Sequence, residues 1–288
     1  MKFTALSAGL AAISSLFAAA AAAPVLSETT TTPNINYTCA FRVTYQLLGH
    51  LNTGDDKGGW GQCGSNNNAG YMAGFARFTT RWGSALAVVD EYKASPHYQN
   101  EFDALYDALK TAAKDQSPSV EKLDGFCEAW TKAMANGNYL VLSQIDVARK
   151  LFDLPTRTHL KTYGIKLPLT RAALVYTAMA NGLSDTDAGL GAVIKKTNAK
   201  FTANVAGKSG NSVKVGDFEV DEAVWLGKFL DVSDDLTNKV HSLMDDVFRR
   251  LIKDKQFTLS STLKFKGLGD KQLTFTCNKL TSLTDSED

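Results

Sequence analysis

The fold is decided by the stretch Gly70-Tyr71-Met72-Ala73-Gly74-Phe75-Ala76-Arg77-Phe78-Thr79-Thr80-Arg81-Trp82-Gly83-Ser84, where the sequence changes character. Residues 52–74 hold seven glycines and four asparagines. That composition predicts turns and short, irregular strands, where a ligand can approach the backbone closely. After the stretch, Leu86, Val89 and Tyr92 recur at helical spacing and predict a helix over 83–93. A small β insertion therefore passes into helix at this point.

Helical periodicity dominates the remainder of the sequence. Apolar residues spaced by three and four predict helices over 40–51, 102–113, 120–134, 142–152, 170–181 and 221–252, with Pro155 and Pro168 as boundaries. Trp130 lies on one of these apolar stripes, so we expect it in the core. Residues 200–220 carry Lys208-Ser209-Gly210-Asn211 between alternating apolar residues, which predicts a hairpin or loop. The expected fold class is mainly α (α+β), with a small β insertion near the N-terminus.

The N-terminus predicts export. Lys2 is the only charged residue before Glu28, and an Ala-rich apolar stretch ends just before Pro24. A short basic region, an apolar region and small residues at the cleavage site are typical of a signal peptide, here residues 1–23. A membrane anchor is the rival interpretation, but the apolar region is short and no basic flank follows it. We expect a secreted, extracellular protein with a Thr-rich polar lead-in (24–37), one domain (38–277) and a disordered acidic tail (278–288).

Export changes how the four cysteines are interpreted. Cys39, Cys63, Cys127 and Cys277 are an even set without a C-x-x-C pair, so disulfides are expected rather than zinc. Three pairings are possible. We favour Cys39–Cys277 with Cys63–Cys127, because Cys39 opens the folded region and Cys277 closes it. Asn36 begins an Asn-x-Thr sequon and is a predicted glycosylation site.

Composition excludes several classes of function. The 31 basic and 30 acidic residues nearly cancel and form no basic stripe, so no nucleic-acid partner is expected, and no later apolar stretch is long enough for a membrane. The four histidines are isolated, and neither a P-loop nor a G-x-S-x-G motif occurs. We therefore expect no metal and no cofactor. Asp55 and Asp56, the carboxylates inside the Gly-rich insertion, are either turn residues or half of a glycosidase carboxylate pair.

The stretch quoted at the start resembles the chitosanases of glycoside hydrolase family 46. Those enzymes carry G-Y-T-x-G-x-x-G-F-T-T-G-x-G-D and then a helix that ends in Tyr. The resemblance implies a lysozyme-like fold with two mainly helical lobes around a cleft, and inverting endo-hydrolysis of chitosan. It covers about residues 40–270, because further segments resemble family motifs in the same order: 126–130, Gln144 with Phe152-Asp153, Asn181-Gly182, 189–191, 221–231 and 263–270.

The residues that the family uses for catalysis differ in this sequence. The family's general acid is a Glu followed by Asn and Ser or Thr, and that motif stands here as Leu51-Asn52-Thr53. The family's base is the Asp of G-D-G-R-G-Y, a motif that stands here as Asn66-Asn67-Asn68-Ala69-Gly70-Tyr71 and places Asn67 at the base. Neither leucine nor an amide can transfer a proton near neutral pH. We therefore predict that both catalytic positions are substituted.

Further positions of the implied substrate site also depart from the family. Met72 replaces the Thr that helps to hold the attacking water, and Ser84 replaces the Asp that pairs with a substrate ammonium. Arg249 matches one arginine of a buried charge network, while the partner arginine falls on Leu243. The predicted substrate-binding residues are Asn52, Thr53, Tyr71, Met72, Ser84 and Arg249.

Three functions follow from these observations. The first is a secreted chitosanase-like protein that has lost catalysis and binds or masks chitosan or a related amino-sugar polysaccharide. The second is an active, divergent endo-chitosanase whose replacement carboxylates include Asp55 or Asp56. The third is a secreted protein-interaction module that presents exposed aromatic residues such as Trp60 and Trp82. The sequence leaves the oligomeric state open.

Overall fold

The computed structural model describes residues 38–277. The predicted signal peptide, the lead-in with Asn36 and the acidic tail lie outside the described residues. Within 38–277 no helix is both long enough and apolar enough to cross a membrane.

Helices make up most of the described chain. The helix bounds are α1 (Cys39–Thr53), α2 (Ser84–Lys93), α3 (Tyr106–Lys114), α4 (Phe126–Ala135), α5 (Tyr139–Ala148), α6 (Leu154–Tyr163), α7 (Pro168–Asn181), α8 (Leu190–Asn198), α9 (Glu222–Leu236) and α10 (Ser242–Lys253). A π-helical turn, Arg149–Asp153, joins α5 to α6 without a break.

Three small antiparallel sheets complete the fold. The β insertion predicted near the N-terminus is confirmed as a three-stranded sheet of order β1-β2-β3, with Cys63 opposite Ala73 and Met72 opposite Thr79. The other two sheets are hairpins, of which the second was not predicted. The strand bounds are β1 (Cys63–Asn66), β2 (Gly70–Ala73), β3 (Phe78–Thr79), β4 (Ser212–Val215), β5 (Phe218–Asp221), β6 (Leu263–Lys266) and β7 (Gln272–Phe275).

Helix α7 forms the centre of the core. Eleven of its 14 residues are buried, and they include four alanines between Ala172 and Ala180 that let neighbouring helices approach closely. A helix that is apolar on all sides must be covered on all sides, and α1, α6, α8, α9 and α10 pack around it. The sheet β1–β3 with α2 and α4 forms a second group of elements, and α5 packs on α2 and α4. Trp130 lies fully buried in that group, as predicted.

Several predicted helix boundaries are wrong. The helix predicted over 120–134 begins only at Phe126, after Gly125 adopts a left-handed φ of 88°. The helix predicted over 221–252 is two helices, because Asn238 and Lys239 take positive φ values of 50° and 62° that no α-helix allows. Pro155 does not end a helix but lies in the first turn of α6, where its missing N–H costs nothing.

The hairpin or loop predicted over 200–220 is confirmed as the hairpin β4–β5, whose turn contains Gly216 with a φ of 59°. Helix α8 was missed, since its first residues are the glycine-flanked segment 189–191.

Both favoured disulfides are confirmed, Cys39–Cys277 and Cys63–Cys127. The first joins the start of α1 to the residues after β7 across 238 positions, and the second joins β1 to α4. No described cysteine is free. One disulfide thus links the two ends of the described chain, and the other links the β insertion to α4.

Two helical glycines should respond in opposite directions to alanine. A Cβ on Gly49 of α1 would lie 2.1 Å from the carbonyl oxygen of Gly58, so Gly49→Ala should cost about 1–3 kcal/mol of unfolding free energy. A Cβ on Gly227 of α9 meets nothing within 4 Å, so Gly227→Ala should stabilise by about 0.5–1 kcal/mol. Urea unfolding of both variants measures this, and equal shifts would contradict the packing described here.

Candidate functional site

The first part of the candidate site is the C-terminal end of α1. Helix α1 ends at Thr53 and is capped by Gly54, whose left-handed backbone lets its N–H bond to the carbonyl of His50. Leu51 is only 1% exposed and belongs to the core. The Thr53 hydroxyl donates to the carbonyl of Gly49 at 2.6 Å and packs against Gly59. Leu51 and Thr53 therefore hold the helix end in place.

Asn52 differs from its two neighbours. Its Nδ2 is buried, yet it has no hydrogen-bond partner among the described residues. A buried amide donor without an acceptor is costly, and such groups are usually satisfied by water or a ligand. Asn52 thus has a hydrogen-bond donor at this helix end that is available to a ligand.

Asp55 and Asp56 are both engaged by neighbouring groups. The carboxylate of Asp55 accepts the N–H of Lys57 at 2.7 Å, which is an Asx turn. Asp56 forms an ion pair with Lys271, and its carboxylate is 3.9 Å from Nδ1 of His50. These contacts fix the junction between α1 and the β6–β7 hairpin.

His50 lies at the same junction and is 1% exposed. Its Nε2 accepts the N–H of Leu268 at 3.0 Å, so Nδ1 carries the proton and donates to the carbonyl of Asp55. Burial lowers the pKa of His50, which favours this neutral form.

Asn67 lies at the tip of the turn between β1 and β2 and is exposed. The side-chain oxygen of Asn66 accepts the N–H of Asn68 at 2.8 Å. Arg81 holds the turn from outside, since its guanidinium donates to the carbonyl of Asn68 at 2.8 Å and to that of Gln116 at 2.9 Å. The Asn67 amide is therefore presented on a fixed turn.

The sheet brings together the other predicted residues of the insertion. The ring of Tyr71 packs 5.4 Å from that of Phe126. Met72, on the same strand, is opposite Thr79. The hydroxyl of Ser84 accepts the N–H of Thr79 at 2.8 Å and so ties the start of α2 to the sheet. Asn67, Tyr71, Met72 and Ser84 thus lie on one small scaffold.

The tryptophans do not form the exposed aromatic surface that a protein-interaction module would need. Trp60 is 8% exposed and packs 4.6 Å from Phe75, so the prediction of an exposed Trp60 is wrong. Trp82 is half-buried, and the guanidinium of Arg81 lies 5.2 Å from its ring. Trp60 is buried because its ring packs between Gly58 and Phe75.

Arg249 connects α9 to α10. Its guanidinium pairs with Asp234 at 2.7 Å, with Asp246 at 3.0 Å and with Asp231 at 3.3 Å. Leu243, the position of the missing partner arginine, is 65% exposed and makes no part of this network. Arg249 is therefore surrounded by carboxylates of its own chain.

A buried pair of carboxyl groups lies beside Arg249 and was not predicted from the sequence. Asp234 and Asp245 are 8% and 2% exposed, and their carboxyl groups share a hydrogen bond. Burial, and next the charge of Asp234, raises the pKa of Asp245 to about 8. Asp245 is thus protonated at neutral pH. Both groups are too deeply buried to touch a polymer, which assigns them to packing rather than to catalysis.

Two surface grooves lie away from these residues. One of about 310 Å³ between α2 and α5 is lined by Asp90, Glu91 and Lys150, among others. Another of about 470 Å³ lies between α1, α6 and α7, where Arg171 binds the buried Asp153 with two hydrogen bonds. Neither is lined by the predicted site residues.

Comparison with known proteins agrees with this geometry. Residues 63–267 match the family model of glycosyl hydrolase family 46. A chitosanase of Bacillus subtilis (strain 168) is 34% identical over 210 residues, which are 69% of this chain and 71% of that protein. The chain belongs to glycosyl hydrolase family 46. The resemblance stated from the sequence is confirmed.

Solved structures of the family have the same fold. The native chitosanase of Bacillus subtilis MY002 superposes with a TM-score of 0.66 at 27% identity, over 82% of this chain and 98% of that one. A mutant of that enzyme complexed with 6 GlcN gives a TM-score of 0.65. The family 46 chitosanase of Gynuella sunshinyii, in complex with chitotetraose, gives 0.67 over 83% and 98% of the two chains, at 22% identity. The predicted lysozyme-like, mainly helical fold is confirmed.

The family match begins at Cys63 and therefore includes some of the predicted site residues but not others. Asn67, Met72, Ser84 and Arg249 lie inside the matched residues, whereas Leu51 and its neighbours precede them. The roles given to these residues from the sequence stay predictions.

The buried carboxyl of Asp245 should make stability fall as the pH rises from about 4 to about 8. Between the unfolded pKa near 3.8 and the folded pKa of about 8, the folded chain holds a proton that the unfolded chain releases. Stability from this group is therefore lost as pH rises through that window. Asp245→Asn, which mimics the protonated form, should lose fewer degrees of melting temperature between pH 6 and pH 9.

The matched control is Asp246→Asn, because Asp246 is the adjacent residue and its side chain is 50% exposed. This variant should keep the pH dependence of the parent protein. Parallel melting curves for all three proteins would show that Asp245 ionises normally.

Proposed function

We propose that this protein is a secreted member of family 46 that binds chitosan or a related amino-sugar polysaccharide in its cleft without hydrolysing it. The observation that carries the proposal is the pair Leu51 and Asn67. The resemblance assigns the general acid and base to these positions, and one is a core leucine, 1% exposed, while the other is an amide.

Inverting hydrolysis needs two carboxyl groups separated by roughly 6.5–9.5 Å, with a water between one of them and the sugar. The carboxylate of Asp55 accepts a hydrogen bond within its own turn, and the carboxylate of Asp56 forms an ion pair with Lys271. Asp234 and Asp245 are buried. Each loss of an acid or base typically costs 10²–10⁴-fold in rate, so the loss of both leaves little turnover.

Binding needs less than catalysis. The turn that presents Asn67, the half-buried Tyr71 and the unpartnered amide of Asn52 offer hydrogen-bonding and stacking groups without proton transfer. Relatives with the same fold have been solved with chitotetraose and with 6 GlcN. This likeness supports an amino-sugar chain as the ligand.

Two features support an extracellular location. The two disulfides are of the kind that persists in oxidising compartments. Residues 1–23 have the composition of a signal peptide. Export would place the cleft where structural polysaccharides occur.

The proposal is tested with purified protein and the hexamers of glucosamine and N-acetylglucosamine. We expect calorimetric binding of at least one hexamer and no shorter oligomers by mass spectrometry after a day, with the Bacillus subtilis relative as the active control. Release of shorter oligomers would instead favour the active hydrolase. Asp55→Asn and Asp56→Asn would then show whether either carboxylate supplies the activity.

Asn52 should contribute to affinity but not to stability. Its Nδ2 makes no hydrogen bond within the described chain, so Asn52→Ala should leave the melting temperature nearly unchanged. Loss of one hydrogen bond to a sugar hydroxyl should weaken hexamer binding by about five- to tenfold. Titration calorimetry measures this. A large fall in melting temperature would show that the amide has a structural partner instead.

A further inference from the structure

Arg77 places a positive charge beside the predicted binding residues. It closes the turn between β2 and β3, where its N–H donates to the carbonyl of Gly74 at 3.0 Å. Its φ is 52°, in the left-handed region that favours glycine, and the family pattern has glycine at this position. The Nη2 of Arg77 lies 3.6 Å from the sulfur of Met72, so the guanidinium sits against a predicted substrate-binding residue.

No carboxylate of residues 38–277 compensates the charge of Arg77. Arg77 forms no ion pair with any residue in 38–277, and a thioether is a weak acceptor for one of its five N–H donors. Across from it on α7 is Tyr176, whose phenol is neutral because burial raises its pKa. Burial lowers the pKa of Arg77 but leaves it charged at neutral pH. A half-buried guanidinium without an anion favours a ligand with good acceptor atoms.

Other substitutions around Arg77 also make the predicted binding site more positive. Arg81 also replaces a glycine of the family pattern, and it contacts the turn that carries Asn67. Relative to the family motifs, this site lacks three carboxylates and one arginine and gains two arginines. The net charge of these six positions is therefore four units more positive than in the family motifs. The positions are 51, 67, 69, 77, 81 and 84.

We propose that the cleft selects N-acetylated amino sugars over free amino sugars, and that Arg77 is the specificity-determining residue. This inference rests on the proposed function, because it names which amino-sugar chain the cleft takes. The acetamido carbonyl is a neutral acceptor that a guanidinium N–H can bond. A glucosamine ammonium has no acceptor to offer and is repelled by the same group, which lowers its affinity by about three- to fourfold for two charges some 5–6 Å apart in water.

The variant Arg77→Gly is the direct test. Glycine suits a φ of 52°, so this variant should fold and should not lose stability. Arg77→Gln is the second variant, because it keeps N–H donors but removes the charge. Arg157→Gln is the matched control, since it removes a cation from α6, where Arg157 pairs with Asp153.

The experiment is calorimetric titration of the full chain with each hexamer at pH 5.5, where the amino groups are protonated, in low and in high salt. The parent protein and Arg157→Gln should prefer the N-acetylglucosamine hexamer by at least about fivefold. Arg77→Gly should lose that preference, mainly by tighter binding of the glucosamine hexamer. High salt should narrow the preference of the parent protein, because it screens the repulsion.

Other outcomes overturn the inference. Equal or tighter binding of the glucosamine hexamer by the parent protein would do so, as would an unchanged preference in Arg77→Gly. Tighter binding of an oligogalacturonate than of either hexamer would show that Arg77 recruits an acid. Failure of both hexamers to bind is a distinct result, which would remove the proposed function itself and this inference with it.

Discussion

The geometry of the candidate site depends on one buried side chain, the amide of Gln144. From α5, its Nε2 donates to the carbonyl of Trp60 and its Oε1 accepts the N–H of Phe75, both at 3.1 Å. Trp130 donates to the same carbonyl. A glutamine that is fully buried and bonded at both ends ties the loop after α1 to the turn between β2 and β3. A Cβ at position 74 would lie 2.2 Å from Oε1 of Gln144, so this close contact between the turn and the amide requires Gly74.

The proposed loss of catalysis would leave this framework intact, because the resemblance assigns proton transfer to none of Gln144, Trp60 and Phe75. A substitution at an implied catalytic position need not cost folding free energy. Leu51 illustrates the point, because an apolar side chain there adds to the core that a carboxylate would disturb. The fold alone therefore does not decide the function, which depends on the identity and charge of the residues at the site.

The sequence predicts the general architecture well, because it depends on local pattern. The apolar stripe through Trp130, the Gly-rich insertion and the disulfide that closes the chain ends all follow from composition and spacing. The break between α9 and α10 could not be predicted, because Asn238 and Lys239 adopt positive φ only under tertiary constraint. The Asp234–Asp245 pair and the position of Arg77 against Met72 needed the structure, since each joins residues from different elements or across a turn.

The π-helical turn between α5 and α6 has a mechanical consequence. Lys150 is bonded to Glu91 on α2, whereas Asp153, three residues later, is bonded to Arg171 on α7. A single turn of helix is thus bonded both to α2 and to α7. A π turn lacks the regular i to i−4 hydrogen bonds that stiffen its neighbours. A change in the angle between α2 and α7 would therefore act on this turn as a bend, which the two side-chain contacts oppose from either side.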